Sequence, residues 1–388
     1  MAQHHILYIG YYSDNSTFNK LCDLKINNMS AARQTLETKL LKGLYSIPNI
    51  KLSAVSYIPT QKGLDLPDTT QIANLYIPYY KINKQHLSSI LLASYHFTRY
   101  IHQQKIKDTS ILMYAVNPVF LLPLLLYKKS RHLQLITICS EIPKYRRYTD
   151  SFKWRLKKRI LTYFNTCFDK YILLTDAMAS ELGVERKPHI TLEGIADDTL
   201  ASISSNNHRE NIVMYAGGLH ADNNINLLIN ACINNPDVKE LWICGSGPQE
   251  TEIKDIADKN PKITYWGNLA HSKVLELETK VKLLVNLRNP TNKLTKYSFP
   301  SKLMEYLMSG AFVISTRLEG IPQEYFNYLF EISNLDIKSL QSTISQIITL
   351  PDSILVEKAK KARDFLLTQK TSKVQCEKIV NFIINLNQ

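Results

Sequence analysis

The sequence predicts an α/β protein built from two doubly wound parallel-sheet domains in tandem, and three observations carry that prediction. Short apolar runs alternate with helical patterns along most of the chain. The runs are continuously apolar, as in strands buried on both faces of a sheet, rather than alternating apolar with polar. The rhythm breaks once, over the polar stretch 201–211, and then restarts. A length of 388 residues suits two or three domains at about 150 residues each.

In chain order, Ile6-Leu7-Tyr8-Ile9 reads as a buried strand closed by Gly10, and a helix follows from Ser30 to Tyr45 with Ala31, Leu36, Leu40, Leu41 and Leu44 on one side. Strands are expected at Leu52–Ile58, Ser110–Tyr114, Leu133–Cys139 and Lys170–Thr175, with helices at Pro118–Lys129 and Lys153–Phe168. After the linker the strands are Ile212–Ala216, Glu240–Cys244, Ile263–Trp266, Val281–Val285 and Phe312–Thr316, with helices between them. The expected domains are 1–200 and 212–365, joined by the linker 201–211, with a C-terminal helix within 366–388 returning toward the first domain. Open parallel sheets bind ligands outside the carboxyl ends of their strands, so those ends are where chemistry is sought.

Composition narrows the function. Hydrophobic residues make up 45% and charged residues 21%, an ordinary globular balance. The six cysteines are scattered, with no CxxC pair and no Cys/His cluster at metal spacing, which reads as buried free thiols and no metal site. The start lacks a basic segment followed by a long apolar one, and the longest apolar stretch, Val119–Leu126, is far short of the roughly 20 residues a spanning helix needs. The net charge of +13 points to a polyanionic partner. Nucleic acid is disfavoured because no helix-turn-helix, zinc finger or RNP-type motif occurs. A nicotinamide enzyme is disfavoured because no GxGxxG follows a strand.

The strongest local signal is Lys296-Tyr297-Ser298-Phe299-Pro300-Ser301-Lys302-Leu303-Met304-Glu305-Tyr306-Leu307-Met308-Ser309-Gly310. Pro300 suits a first helical turn and Gly310 a helix end. The N–H groups around Ser298–Ser301 would form the anion-attracting start of that helix. A lysine in a first turn opposes the helix dipole, so Lys302 makes sense opposite an anion. Glu305, one turn on, offers a carboxylate to sugar hydroxyls.

This stretch resembles the signature of retaining GT-B glycosyltransferases related to family 4, in a bacterial subgroup with YSFPSK-x-x-EY-x-x-SG followed by GIP-x-EY, which here is Gly320-Ile321-Pro322-Gln323-Glu324-Tyr325. In the same order, Tyr215-Ala216-Gly217-Gly218-Leu219 resembles the glycine turn after the first donor-domain strand. Cys244-Gly245-Ser246-Gly247-Pro248 resembles the G-x-GP loop, Tyr265-Trp266-Gly267-Asn268 the segment beside the base, and Val285-Asn286-Leu287-Arg288 the subgroup's VNPR. The resemblance covers Ile212–Tyr325 and is weak over the first half. It implies a GT-B fold, two Rossmann-like domains facing a central cleft, and transfer of a sugar from a nucleotide-diphosphate donor, UDP favoured, with no cofactor. By the same resemblance Glu305 binds the ribose hydroxyls, while Tyr297 stands where relatives carry a first glutamate. Gly218 and Asn223 stand where many relatives carry Arg and Lys on the diphosphate. Arg288 and Lys302 are the expected substitutes for those charges, with Lys296 behind them, and Gly217 and Gly218 would let backbone N–H groups approach the phosphates. No DxD-type pair is present, so basic side chains rather than a metal are expected to neutralise the leaving group. Glu141, after a first-domain strand, is the expected acceptor-orienting residue.

Between Lys144 and Arg159, eight Lys and Arg residues interleave with Tyr145, Tyr148, Phe152 and Trp154. That mixture suits the headgroup layer of an anionic membrane. The apolar Phe120–Leu126 segment, followed by Lys128, Lys129 and Arg131, would extend the same face. Together with that face, the resemblance to the bacterial subgroup implies a glycan or polyprenyl-diphosphate-linked glycan of a bacterial surface polysaccharide as acceptor. The expected location is cytoplasmic, on the inner face of the cell membrane. A non-catalytic, sugar-nucleotide-binding relative is the alternative.

Overall fold

The structure, a computed structural model, describes residues 3–24, 31–83, 86–142, 145, 152–198, 200 and 209–385. The chain divides into two compact units, Met1–Ile195 with Ser372–Gln388, and Ala196–Thr371. The return to the first unit thus starts at Ser372, six residues later than the sequence pattern indicates. Residues 201–208 of the expected linker, together with Lys144, Arg146, Arg147 and Tyr148, lie outside the described residues.

The first unit runs β1 (His4–Gly10), α1 (Asn15–Asp23), α2 (Ala31–Tyr45), β2 (Ile50–Pro59), β3 (Thr69–Ile72), β4 (Leu75–Ile82), α3 (Leu87–Gln103) and β5 (Thr109–Tyr114). It continues through α4 (Pro118–Tyr127), β6 (Gln134–Cys139), α5 (Phe152–Asn165), β7 (Lys170–Leu173), α6 (Ala177–Leu182) and β8 (His189–Thr191). Its eight strands take the order β3-β4-β2-β1-β5-β6-β7-β8, parallel except for the β3–β4 hairpin. That hairpin was not evident from sequence. Pro78 sits inside β4, a residue that argues against a central strand and belongs near a sheet edge. Ile6, Tyr8, Leu40, Leu112 and Ile172 form the core with Cys376, Ile379 and Ile383 of the C-terminal helix. Gly43 of α2 allows that approach, since a Cβ there would lie 2.5 Å from the Cys376 sulfur.

The second unit runs β9 (Glu210–Ala216), α7 (Ile225–Ile233), β10 (Glu240–Cys244), α8 (Glu250–Lys259), β11 (Ile263–Gly267), α9 (His271–Glu278) and β12 (Val281–Asn286). Then come α10 (Lys302–Ser309), β13 (Phe312–Thr316), β14 (Phe330–Ile332), α11 (Ile337–Ile348) and α12 (Asp352–Gln369), before α13 (Ser372–Ile384) rejoins the first unit. Its sheet order is β11-β10-β9-β12-β13-β14, all parallel. Apolar clusters cover both faces, as continuous apolar strands require.

The end of the expected linker is not a free tether. Arg209 is buried and donates to the carbonyls of Glu278, Val281 and Ser309. The Glu278 and Ser309 carbonyls lie at the ends of α9 and α10, where they lack helical partners, and Val281 opens β12.

Candidate functional site

At the carboxyl ends of β9, β10 and β11, three glycine loops are laced together. The Gly217 N–H donates to the Cys244 carbonyl at 3.0 Å, the Gly245 N–H to the Gly267 carbonyl at 2.8 Å, and the Leu219 N–H to the Ser246 carbonyl at 2.9 Å. Gly245 has φ +135°, and a Cβ there would lie 1.9 Å from the Gly217 carbonyl oxygen. These glycines hold a crowded backbone crossing. The expectation that the Gly217 N–H reaches toward phosphate is corrected, because that donor is already committed. Gly218 is exposed, and its carbonyl is held by Tyr215 Oη at 2.9 Å and Asn223 Nδ2 at 2.6 Å. Trp266 packs edge-on against Trp242, with ring centroids 5.4 Å apart. Its buried indole N–H meets no acceptor among the described residues.

The two motif halves explain each other. α10 starts at Lys302, so Pro300 and Ser301 precede it, and Gly310 ends it with φ +86°. Tyr297 is buried in a short 3-10 turn. Phe299 is also buried, its ring tilted against Tyr325 with centroids 5.1 Å apart. Phe299 is therefore a core residue rather than a ligand-facing one, because its ring fills the gap under Tyr325. A Cβ on Gly320 would lie 2.5 Å from the Ser298 carbonyl oxygen, so the GIP turn packs directly on the segment leading into α10. Of that segment, Ser298 is half-buried and Ser301 exposed.

The charged residues form two settings. Lys302 Nζ lies 2.6 Å from Glu305 Oε2 and 3.3 Å from Glu278 Oε1. Glu305 also accepts from His271 Nε2 at 3.1 Å. Burial pushes Glu305 up, but the His271 hydrogen bond and the Lys302 charge outweigh it and hold the carboxyl below its usual range. His271 is raised by that same hydrogen bond. Lys302, offered from sequence as a diphosphate ligand, thus already has its charge met by two carboxylates. Arg288 differs. It follows β12, half-buried, near the phenols of Tyr215 and Tyr306, and burial lowers its pKa. Among the described residues no carboxylate forms an ion pair with it. Burying a cation without an anion is costly, so Arg288 is the cation best placed for an anionic ligand.

Glu278 was not singled out from sequence. It ends α9 fully buried, with Oε2 meeting no partner, and desolvation lifts its pKa from 4.5 to about 7 despite Lys302. A carboxyl raised on folding contributes stability that is complete below its unfolded pKa and lost as pH rises through the folded one. Glu278→Gln, which mimics the protonated form, should therefore stabilise the protein at pH 8 by on the order of 1–3 kcal/mol and leave pH 5 nearly unchanged. Urea unfolding followed by tryptophan fluorescence checks this, since Trp242 and Trp266 both report on this unit. Parallel pH profiles for variant and wild type would refute it.

In the first unit the carboxyl ends of β1, β5 and β6 hold a second cluster, whose Arg33 and Glu37 sequence reading missed. Glu37 is buried and accepts from Tyr8 Oη at 2.9 Å and the Tyr11 N–H at 2.7 Å. Arg33 Nε lies 3.3 Å from Glu37 Oε1, and its guanidinium sits 3.8 Å from the Tyr11 ring centroid. Burial works against the Arg33 charge, but Glu37, Tyr11, Tyr114 and Glu141 together raise its pKa. Glu141, expected at a ligand-facing edge, thus belongs to this group. Arg33 and Glu37 look like an ordinary surface i,i+4 pair in sequence. The signal that could have found them is Gly10, where a Cβ would lie 2.2 Å from Glu37 Oε2.

Among the described residues no three His, Cys, Asp or Glu side chains come together as a metal would require.

Residues 210–349 match the family model described as Glycosyl transferases group 1. A curated relative, the phosphatidylinositol N-acetylglucosaminyltransferase gpi3 subunit of Schizosaccharomyces pombe, is 24% identical over 138 residues, 34% of this chain and 29% of the relative. The chain thus spans under a third of that relative's length. Among solved structures, the E. coli trehalose-6-phosphate structure bound with UDP-2-fluoro glucose superposes with TM-score 0.68 at 8% identity, covering 98% of this chain and 99% of the other. A glycosyltransferase from Rickettsia africae superposes with TM-score 0.67 at 10% identity, covering 99% and 98%. Anabaena HepE in complex with UDP superposes with TM-score 0.63 at 12% identity, covering 97% and 98%. The protein has the GT-B fold, two parallel-sheet, Rossmann-like units. The family match lies within its second unit.

Proposed function

We propose that this chain transfers a sugar, with retention, from a UDP-sugar to a glycan or polyprenyl-diphosphate-linked acceptor in bacterial surface polysaccharide synthesis, from the cytoplasmic face of the cell membrane. One observation carries the reading. Arg288 is a half-buried guanidinium at the carboxyl end of the second sheet with no ion-pair partner among the described residues, beside a glycine-laced loop cluster. A diphosphate meets that cation, and an arginine fork binds phosphate oxygens in pairs. Glu305 accepts the ribose hydroxyls, and Trp266 lies at the base.

Transfer begins as the bond from the sugar's anomeric carbon to the diphosphate oxygen breaks, with Arg288 compensating the charge that develops on UDP. The acceptor hydroxyl bonds to the same carbon on the face UDP leaves. Its proton passes to the departing diphosphate. Glu141, in the carboxylate and arginine cluster of the first unit, orients the acceptor.

The test is calorimetric titration of the purified protein with UDP and with GDP, no metal added. UDP binding at least tenfold tighter than GDP binding is expected. Tighter GDP binding would reassign the donor, and binding of neither would leave a fold without the proposed activity.

A further inference from the structure

We infer that the face of the first unit formed by α3, α4 and α5 inserts shallowly into an anionic membrane, a deepening that rests on the membrane reading above. The right-handed crossover rule puts these helices on one face, because β4 to β5, β5 to β6 and β6 to β7 all step the same way across the sheet. The ring contact between Phe97 of α3 and Phe120 of α4 shows that these two helices touch.

Each helix carries two apolar stripes where a globular surface helix needs one. On α3, Ala93, Phe97 and Ile101 face the core, while Leu87, Leu91 and Tyr95 repeat at the same spacing on the opposite side, with Leu92 beside them, all more than half exposed. On α4, Phe120, Leu121 and Leu124 are buried, so most of the segment read as membrane-facing is core, yet Leu122 and Leu126 point outward. On α5, Leu161 is buried while Leu156, Ile160 and Tyr163 are exposed. Among the described residues, nine of the seventeen exposed large apolar side chains lie on these three helices, which makes a patch rather than scatter.

The charge around the patch selects its occupant. None of the three helices contains Asp or Glu, whereas Arg99, Lys129, Arg155, Lys157 and Arg159 are exposed on or beside them. A two-fold dimer through this face would press the same basic surface against itself with no acid of these helices to pair. Apolar stripes flanked by basic side chains match an interfacial layer carrying anionic headgroups. No described helix is long and apolar enough to span, so the mode is shallow insertion.

The experiment is sedimentation of the full chain with vesicles of phosphatidylcholine alone or with about a third phosphatidylglycerol, at low and high salt, with UDP affinity measured on the same samples. Wild type should bind the anionic vesicles and retain part of that binding in high salt, because screening weakens charge but not apolar insertion. Leu91→Ser with Leu92→Ser and Tyr95→Ser should lower the partition coefficient at least tenfold without changing UDP affinity. Leu126→Ser with Tyr163→Ser gives an independent pair on the other two helices should the first variant fold poorly. Lys157→Gln with Lys158→Gln and Arg159→Gln should abolish the salt-sensitive part alone. Vesicle binding unchanged in both apolar variants would overturn the inference. So would self-association that the apolar variants abolish in a protein that ignores vesicles, which would assign the face to a second copy. Lost UDP affinity with intact vesicle binding would instead strike only at the donor site.

Discussion

Arg288→Ala should lower UDP release from the UDP-sugar that wild type turns over by about 10²–10³-fold, equivalent to about 3–4 kcal/mol of lost transition-state stabilisation. The size follows from its setting. Arg288 is half-buried and near two phenols, where a charge acts more strongly than in water. No neighbouring carboxylate shares it among the described residues. The fold should survive, because the Thr316 hydroxyl binds the Arg288 backbone carbonyl, at 2.7 Å, rather than its side chain. Arg288→Lys should recover only part of the activity, since an ammonium restores charge without the paired donors. A thermal melt near that of wild type together with lost turnover marks the residue as acting on the ligand. Near-normal turnover would show that the diphosphate is compensated elsewhere.

Glu305→Ala should weaken uridine binding about tenfold, and UDP binding by less, because the contact removed is to the ribose. The uridine comparison matters. Removing Glu305 also leaves Lys302 with Glu278 alone, which strengthens phosphate binding and offsets part of the loss for UDP but not for uridine. A second readout is independent of ligand. The Glu305 carboxylate raises His271 above its ordinary 6.5, so the His271 titration followed by NMR should move back down in the variant. Unchanged uridine affinity would remove Glu305 from the ribose.

Most of the sheet architecture was legible because its signals are local. A strand buried on both faces reads as a near-continuous apolar run, and Leu283–Val285 or Phe312–Ile314 can be little else. The β3–β4 hairpin escaped notice because Pro78 breaks the expected pattern and pairing at an edge tolerates it. In the site, the position of Arg288 after a strand was readable, but its lack of an ion-pair partner was not. That property depends on which carboxylates the fold brings near. Glu278 is 24 residues from Lys302, and no periodicity links them.

The chain by itself determined the two α/β units, the order of the glycine turns, the helix bounded by Pro300 and Gly310, and the candidacy of Arg288 and Glu305. The units, the glycine turns and the helix rest on spacing within one element or on turn chemistry at one position, whereas Arg288 and Glu305 were candidates through the resemblance to family 4 glycosyltransferases. Only the tertiary structure decided that Phe299 is core, that Gly217 has spent its donor, that Lys302 is neutralised while Arg288 is not, and that three helices of one face carry apolar stripes outward. Those outcomes depend on burial and on partners distant in sequence, because the energy of a charge or an apolar surface is set by what surrounds it.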